Sequence, residues 1–161
     1  GRPLVGRVSM ILGAGGITKA IAHSLKRRDA DVVLSSRTHE RALVLAEKFR
    51  CRTVQWYERT KVDPDILVNA TPVGMHPNVD ETPLDSKYMR RDMIVVDTVY
   101  NPEQTLLVKQ AREVGCRVVT GVEVLVREAA LQVEHFSGQT APVDLMRTAL
   151  KRAIGPARWQ D

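Results

Sequence analysis

Aromatic residues are scarce in this chain of 161 residues, making up only 4% of it. A protein that binds single-stranded nucleic acid by base stacking needs several exposed rings. The 24 basic residues are scattered among 19 acids and form no continuous stripe. The net charge of +5 therefore indicates a solvated surface with a few arginines that meet an anionic small molecule, and we expect no nucleic-acid partner.

Cysteines are equally few, and both Cys51 and Cys116 stand directly before a β-rich run. No CxxC pair occurs, and the four histidines are isolated, with no HExxH-type spacing. This pattern predicts reduced thiols, a cytoplasmic location and no metal site.

Long apolar runs are absent as well, since none approaches the ~20 residues that a membrane-spanning helix needs. No signal-peptide pattern opens the sequence, and we expect no membrane partner. The first residue is Gly1 and a strand begins by about Val8, so we expect the chain to be part of a longer or processed protein.

Short β-rich runs alternate with helical stretches. The runs predicted as strands are Val8–Leu12, Asp31–Ser35, Arg52–Gln55, Asp65–Asn69, Met93–Asp97 and Arg117–Thr120. The stretches predicted as helices are Gly15–Arg28, Thr38–Phe49, Glu103–Val114, Val122–Phe136 and Pro142–Ile154. This alternation, with 43% hydrophobic residues, predicts one α/β domain over residues 1–161 with a doubly wound parallel sheet of six strands and a C-terminal helical extension.

Two details of this prediction can be tested directly. Periodicity puts six apolar residues on one side of the fourth helix: Val122, Val126, Ala129, Ala130, Val133 and Phe136. With strand order 3-2-1-4-5-6, the two cysteines begin opposite edge strands, about 24 Å apart at ~4.8 Å per strand spacing. A disulfide needs Cα atoms within ~7 Å, so we predict that the cysteines are not bonded to each other.

The unusual residues follow the strands, and ligands of such sheets bind beyond the carboxyl ends of the strands. After the first strand, Gly13 permits a tight turn, Gly15 lets a pyrophosphate approach the backbone, and a helix N-terminus follows. The third glycine of the GxGxxG dinucleotide-binding motif is replaced by Thr18, so a purely structural turn is the alternative. Lys19 fits no P-loop pattern and is interpreted as a solvated helix residue.

The end of the second strand decides between dinucleotides. NAD enzymes usually place Asp or Glu there, to hold the ribose hydroxyls. Here the residues are Ser36, Arg37 and Thr38, with Arg41 one turn further, which suit a 2′-phosphate and predict NADP. The alternative is a helix start capped by Ser36 or Thr38 with surface arginines.

Five segments in a fixed order carry a family resemblance: GAGGITKA, SSRTHERA, NATPVGM, DTVYNP and GVEVLVREAA. Together they resemble the C-terminal NADP-binding domain of the shikimate dehydrogenases, from about Leu4 to Pro142. HFSGQTAP (135–142) resembles forms fused to a 3-dehydroquinate dehydratase. The resemblance implies a Rossmann-like fold and reversible NADPH-dependent reduction of 3-dehydroshikimate to shikimate.

The resemblance also implies roles for individual residues. Those that would hold the pyrophosphate are Gly13, Ala14, Gly15 and Gly16. Those around the 2′-phosphate would be Ser36, Arg37, Thr38 and Arg41. Those lining the cofactor cleft would be Thr71, Pro72 and Val73, and those near the nicotinamide would be Thr98 and Gly121. Those that reach the bound shikimate would be Tyr100 and Glu128, although the family often has Gln where Glu128 stands.

The family's catalytic Lys and Asp belong to an N-terminal substrate-binding domain that this chain does not contain. We therefore expect the chain to have no catalytic residue of its own and to act with such a domain. Two alternatives stay open: a quinate dehydrogenase or related paralogue, and a stand-alone NADP-binding module without catalysis.

Overall fold

The computed structural model describes residues 4–154, which form a six-stranded sheet with helices on both faces. The strands are β1 (Val8–Leu12), β2 (Asp31–Ser36), β3 (Arg52–Gln55), β4 (Ile66–Asn69), β5 (Ile94–Asp97) and β6 (Arg117–Val119). The helices are α1 (Gly16–Lys26), α2 (His39–Phe49), α3 (Leu106–Val114), α4 (Gly121–Ser137) and α5 (Val143–Ile154). Two short 3₁₀ helices, Trp56–Lys61 and Ser86–Tyr88, lie in segments for which the sequence predicted no helix.

All neighbouring strands are parallel, and their order is β3-β2-β1-β4-β5-β6. The predicted fold class and strand order are therefore confirmed. The order reverses beside β1, because its two neighbours β2 and β4 both follow it in the chain. The carboxyl ends of β1 and β4 thus meet at the point where doubly wound sheets bind their ligands.

The core has two layers, one on each face of the sheet. Ile11 of β1 packs with Ala22, Leu45 and other residues of α1 and α2 on one face. Its neighbours Met10 and Leu12 point to the other face, where they pack with Leu107 of α3. Because both faces of β1 are covered, its consecutive residues Met10, Ile11 and Leu12 are all apolar and buried, as is typical of a central parallel strand.

The predicted apolar side of α4 is only partly buried. Val122, Val126 and Ala130 are buried, whereas Val133 and Phe136 on the same side are 37% and 84% exposed, so this side is uncovered in the last turns of the helix. Periodicity shows which residues share a side, whereas burial needs a packing partner. α4 packs instead on α5, where the Arg147 guanidinium donates to both carboxylate oxygens of Glu123, at 2.5 and 3.1 Å.

Both cysteines are free and precede opposite edge strands, β3 and β6. Cys116 is buried, whereas Cys51 is only half-buried. Burial raises the pKa of both thiols.

Candidate functional site

The turn between β1 and α1 is held tightly against the end of β4. Gly13 has a φ of +115°, and its N–H donates to the Ser35 carbonyl at 2.8 Å. A Cβ atom at Gly13 would lie 2.5 Å from the Ala70 carbonyl oxygen and 3.2 Å from Cγ2 of Thr71. Only glycine fits here, and this fit brings the glycine turn beside the predicted cofactor residue Thr71.

The next two glycines face open space. A Cβ at Gly15 or Gly16 would meet no atom within 4 Å. Gly15 is the N-cap of α1 and supplies no side-chain hydrogen bond, and the first turn of the helix contains no acid. The N–H groups of that turn are therefore directed at a site with room for an anion.

A cleft of about 490 Å³ opens between the starts of α1 and α2. Its lining residues are Ala14, Gly15, Gly16, Lys19, Glu40, Arg41, Val44 and Leu45. The glycine turn predicted to bind the pyrophosphate and Arg41, predicted to bind the 2′-phosphate, thus line the same cleft. Lys19, interpreted from sequence as a solvated helix residue, is exposed but lines this cleft, because it lies one turn after Gly15 on α1.

Positive charge around this cleft is not neutralised by ion pairs. Lys19, Arg37 and Arg41 are exposed, and none forms a salt bridge with another residue in the range 4–154. Glu40 is the one acid among the described lining residues, so the cations remain in excess. The site therefore attracts an anion.

The end of β2 carries hydroxyls and a cation where a carboxylate would select NAD. Ser36 is the last residue of the strand, and its Oγ accepts from the Thr38 N–H at 3.2 Å. Thr38 is the N-cap of α2, but its side chain makes no capping hydrogen bond. The capping alternative therefore leaves the Thr38 hydroxyl and the Arg37 guanidinium unused.

The residues predicted to line the cofactor cleft and those predicted near the nicotinamide lie at the same edge of the sheet. The Val73 N–H donates to Oγ1 of Thr71 at 3.1 Å, and the Thr98 N–H donates to the Asn69 carbonyl at 3.0 Å. A Cβ at Gly121 would lie 2.0 Å from the Val99 carbonyl oxygen, so α4 begins against the loop after β5. The loops after β4 and β5 and the start of α4 thus form one continuous edge.

A buried polar network that the sequence reasoning missed underlies these loops. It joins Asn69 and Asp97, the last residues of β4 and β5, to Thr105, the N-cap of α3. All three side chains are fully buried. Burial raises the pKa of Asp97, while hydrogen bonds from Thr105, the Val99 N–H and Asn69 act in the opposite direction. The sequence signal that could have predicted this network is that each of two apolar strands ends in a polar residue, Asn69 in NATPVGM and Asp97 in DTVYNP.

The two residues predicted to reach the substrate are accessible. Tyr100 is 43% exposed on the loop after β5, and Glu128 is exposed on the second turn of α4. Within the described range, no side-chain hydrogen bond or salt bridge uses either residue. Neither Tyr100 nor Glu128 is among the residues that line the two cavities described in this section.

A second cavity, of about 370 Å³, lies at the opposite edge, among the amino ends of the strands. Its charged residues are engaged in ion pairs: Arg52 with Asp31, Lys61 with Glu58, and Asp63 with Arg90. This cavity therefore has little free charge with which to hold a ligand. Across residues 4–154, no three His, Cys, Asp or Glu side chains are arranged to hold a metal ion, and no helix has the length and hydropathy to cross a bilayer.

These observations fit a phosphorylated dinucleotide at the carboxyl edge. The uncapped start of α1 and the open space over Gly15 and Gly16 suit a pyrophosphate. The cations Arg37 and Arg41 beside the end of β2 suit a further phosphate on the ribose. Phosphate charge would also offset the repulsion among the cations themselves.

Comparison with known proteins identifies relatives whose names include NADP. The family model described as NADP oxidoreductase, coenzyme F420-dependent, matches residues 7–102, from just before β1 to the loop after β5. The NADP(+)-dependent shikimate dehydrogenase of Methanopyrus kandleri is 43% identical over 157 residues, covering 90% of this chain and 54% of the relative. The chloroplastic bifunctional 3-dehydroquinate dehydratase/shikimate dehydrogenase of Arabidopsis thaliana is 39% identical over 146 residues, covering 89% of this chain and 24% of the relative.

A solved structure extends the match to three dimensions. Shikimate 5-dehydrogenase from Thermus thermophilus, in complex with NADP(H) and shikimate, superposes with a TM-score of 0.82 at 34% identity, covering 94% of this chain and 57% of that one. The chain spans about half the length of the Methanopyrus and Thermus proteins. It therefore belongs to the family of NADP oxidoreductases described as coenzyme F420-dependent, and it corresponds to the C-terminal NADP-binding part of the shikimate dehydrogenases.

Proposed function

We propose that this chain is the NADP-binding half of a shikimate dehydrogenase, which reversibly reduces 3-dehydroshikimate to shikimate with NADPH. The observation that carries this proposal is a group of cations, Lys19, Arg37 and Arg41, that form no ion pair within residues 4–154 and lie beside an uncapped helix start, with no acid at the end of β2. It is supported by a relative named as an NADP(+)-dependent shikimate dehydrogenase, whose alignment covers 90% of this chain. We expect the reaction to take place in the cytoplasm, in keeping with the free thiols.

The residues of the chain bind and orient the reactants. The N–H groups of the glycine turn would hold the pyrophosphate, and Arg37 and Arg41 would hold the 2′-phosphate. The loop 71–73, Thr98 and the start of α4 would shape the nicotinamide side of the cleft. When bound, NADPH supplies the hydride that reduces the keto group.

The groups that donate and accept a proton at the reacting hydroxyl are not among the residues of this chain in our proposal. Tyr100 and Glu128 form at most part of the substrate wall, and hydride transfer needs a positioned proton donor and acceptor. We propose that an N-terminal substrate-binding domain supplies a Lys and an Asp for this purpose. The chain by itself is then inactive.

Calorimetric titration with NADP and NAD tests the cofactor assignment. A hydrogen bond to a charged group contributes about 1.5–3 kcal/mol, so Arg37→Ala should weaken NADP binding by roughly one to two decades. NAD binding should change little, because NAD has no 2′-phosphate. Arg117→Ala, which removes another exposed arginine at the amino end of β6, is the matched control and should change neither affinity. Equal losses for both dinucleotides would contradict the 2′-phosphate role.

A turnover assay tests the missing domain. Shikimate and NADP should give no rate above background with this chain, and a rate should appear when an N-terminal substrate domain is joined to it. Activity without that domain would contradict the proposal. Turnover of quinate in preference to shikimate would favour the related paralogue, and NADP binding with no turnover of either would favour a binding module.

Glu128 offers a test on the substrate side. An ionised glutamate only accepts hydrogen bonds and carries the same charge as shikimate, whereas glutamine both donates and accepts. In the enzyme with its substrate domain, Glu128→Gln should lower the KM for shikimate near neutral pH. Unchanged shikimate kinetics from mildly acidic to mildly basic pH would show that Glu128 does not meet the substrate.

A further inference from the structure

Asp97 is a fully buried carboxylate at the carboxyl edge of the sheet. Its Oδ1 accepts from the Asn69 side-chain amide and from the Val99 N–H, each at 3.0 Å. Its Oδ2 accepts from the Thr105 hydroxyl at 2.6 Å. Three donors from three different segments therefore converge on one side chain.

No cation takes part in these contacts. The Asn69 amide and the Val99 N–H can only donate at these positions, and the Thr105 oxygen already accepts from the Val108 N–H at 3.2 Å. Three converging donors match an ionised carboxylate, which only accepts. A buried charge without a counter-ion is costly, and it persists only where its hydrogen bonds are well made.

The network passes from Asp97 to the loop after β4. Asn69, which pairs with Asp97 in the sheet register, also donates from its amide to the Val73 carbonyl at 3.2 Å. Its Oδ1 accepts from both the N–H and the hydroxyl of Thr71, at 3.1 and 2.6 Å. The orientation of Asn69 thus sets the position of the loop 71–73, and Asp97 sets the orientation of Asn69.

The same carboxylate positions the next loop and α3. Through the Val99 N–H it holds the turn that carries Thr98 and Tyr100. Through Thr105, the N-cap of α3, it fixes the start of that helix. The loops after β4 and β5 are therefore both held by hydrogen bonds to the Asp97 carboxylate, the first through Asn69 and the second directly.

We propose that Asp97 is a positioning residue for the nicotinamide side of the cleft. It acts on the loop 71–73 through Asn69 and on the loop 98–100 directly through the Val99 N–H, while Thr105 holds its other carboxylate oxygen. This inference rests on the proposed function, because it assumes that NADP(H) lies across this edge. Asp97 touches no reactant. Its effect is to hold the loops 71–73 and 98–100 at a fixed distance from each other.

The test compares a whole dinucleotide with its adenosine half. Asp97→Asn keeps the shape of the side chain but cannot accept from Thr105 in the same way. It should weaken NADPH binding about tenfold, the effect of one charge-assisted hydrogen bond. Adenosine 2′,5′-bisphosphate, which ends before the nicotinamide, should bind with unchanged affinity. Asp85→Asn is the matched control, since Asp85 accepts from the Lys87 N–H at 3.0 Å in the same local geometry on the surface.

The outcomes separate the two proposals. If the unmodified chain binds neither ligand, the proposed function fails. If it binds both and Asp97→Asn leaves NADPH affinity unchanged, the positioning role is wrong. Equal weakening of both ligands would show a general effect on the fold and would also overturn it.

A second pair of variants decides the case where Asp97→Asn does not fold. Thr105→Val removes the donor to Oδ2, whereas Thr105→Ser retains a hydroxyl there. We expect the valine variant to lose NADPH affinity several-fold and the serine variant to recover it, with adenosine 2′,5′-bisphosphate unaffected by either. Equal NADPH affinity in the two variants would contradict the proposal.

Discussion

The two edges of the sheet carry similar charged residues but use them in opposite ways. At the amino edge, Arg7 and Arg90 both contact Asp65, at 2.9 and 3.1 Å, and Arg52 pairs with Asp31. At the carboxyl edge, the arginines after β2 have no carboxylate partner in the described part of the chain. Charges that pair with each other support the fold, whereas charges held without partners are available to a ligand.

The acids of the two edges show the same contrast. At the amino edge, the Val8 N–H and the guanidinium groups of Arg7 and Arg90 lower the pKa of Asp65. At the carboxyl edge, burial without a cation raises the pKa of Asp97. The amino edge therefore contains paired charges, whereas at the carboxyl edge the Asp97 carboxylate is held by neutral hydrogen-bond donors.

The largest expected effect concerns the glycine turn of the carboxyl edge. Gly13→Ala would combine left-handed backbone strain with a backbone contact at 2.5 Å, and should lower the free energy of unfolding by about 3 kcal/mol. Gly138→Ala is the control, since its φ is also positive but its Cβ would meet nothing within 4 Å, and it should cost about 1 kcal/mol. Urea denaturation of both variants measures the difference, and equal losses would show that the Ala70 contact relaxes freely.

A neighbouring glycine should separate ligand binding from stability. Gly15→Ala fills only the open space where a pyrophosphate would approach, so its unfolding midpoint should stay close to that of the unmodified chain. NADP affinity should fall by about tenfold or more, measured by calorimetry. A Gly15→Ala protein that binds NADP normally would place the phosphates elsewhere.

Asp65→Asn tests the amino edge through pH. The pKa of Asp65 is lowered in the folded state, so its stabilisation is present above the unfolded pKa of about 3.9 and is lost as pH falls through the folded value. At neutral pH the substitution should cost about 1 kcal/mol, with NADP affinity unchanged. Unfolding free energies measured over a pH series should converge in acid. A constant difference across pH would show that the loss is not electrostatic.

The smallest effect should come from an exposed ion pair. Arg52 and Asp31 form a pair at the start of β3 and β2, and both side chains are largely accessible. Arg52→Ala should change the free energy of unfolding by less than about 1 kcal/mol, and added salt should reduce this difference further. Thermal unfolding at low and high salt measures it. A loss of NADP affinity in Arg52→Ala would undo the distinction between the two edges.

Most of the fold was predictable because a parallel sheet covered on both faces leaves short apolar strands that alternate with helices in the sequence. β1 and β3 have the predicted bounds. The limit is sharp for β1 because its apolar residues end directly at Gly13. The third helix was predicted from Glu103 but begins at Leu106, after Thr105 caps it by accepting from the Val108 N–H. The 3₁₀ helix at 56–61 escaped prediction because a tertiary contact helps to stabilise it: Arg59 donates to the Pro83 carbonyl at 2.8 Å.

The candidate site also has features that the sequence predicts and features that only the tertiary structure reveals. The sequence by itself determined the glycine turn, the arginines after β2 and the absence of an acid there, because each of these depends only on neighbours in the chain. Tertiary structure decided that Lys19 lines the cleft and that Asn69, Asp97 and Thr105 meet in one buried network. Those residues lie up to 36 positions apart, from 69 to 105, and only the register of β4 on β5 and the start of α3 bring their side chains within hydrogen-bond distance.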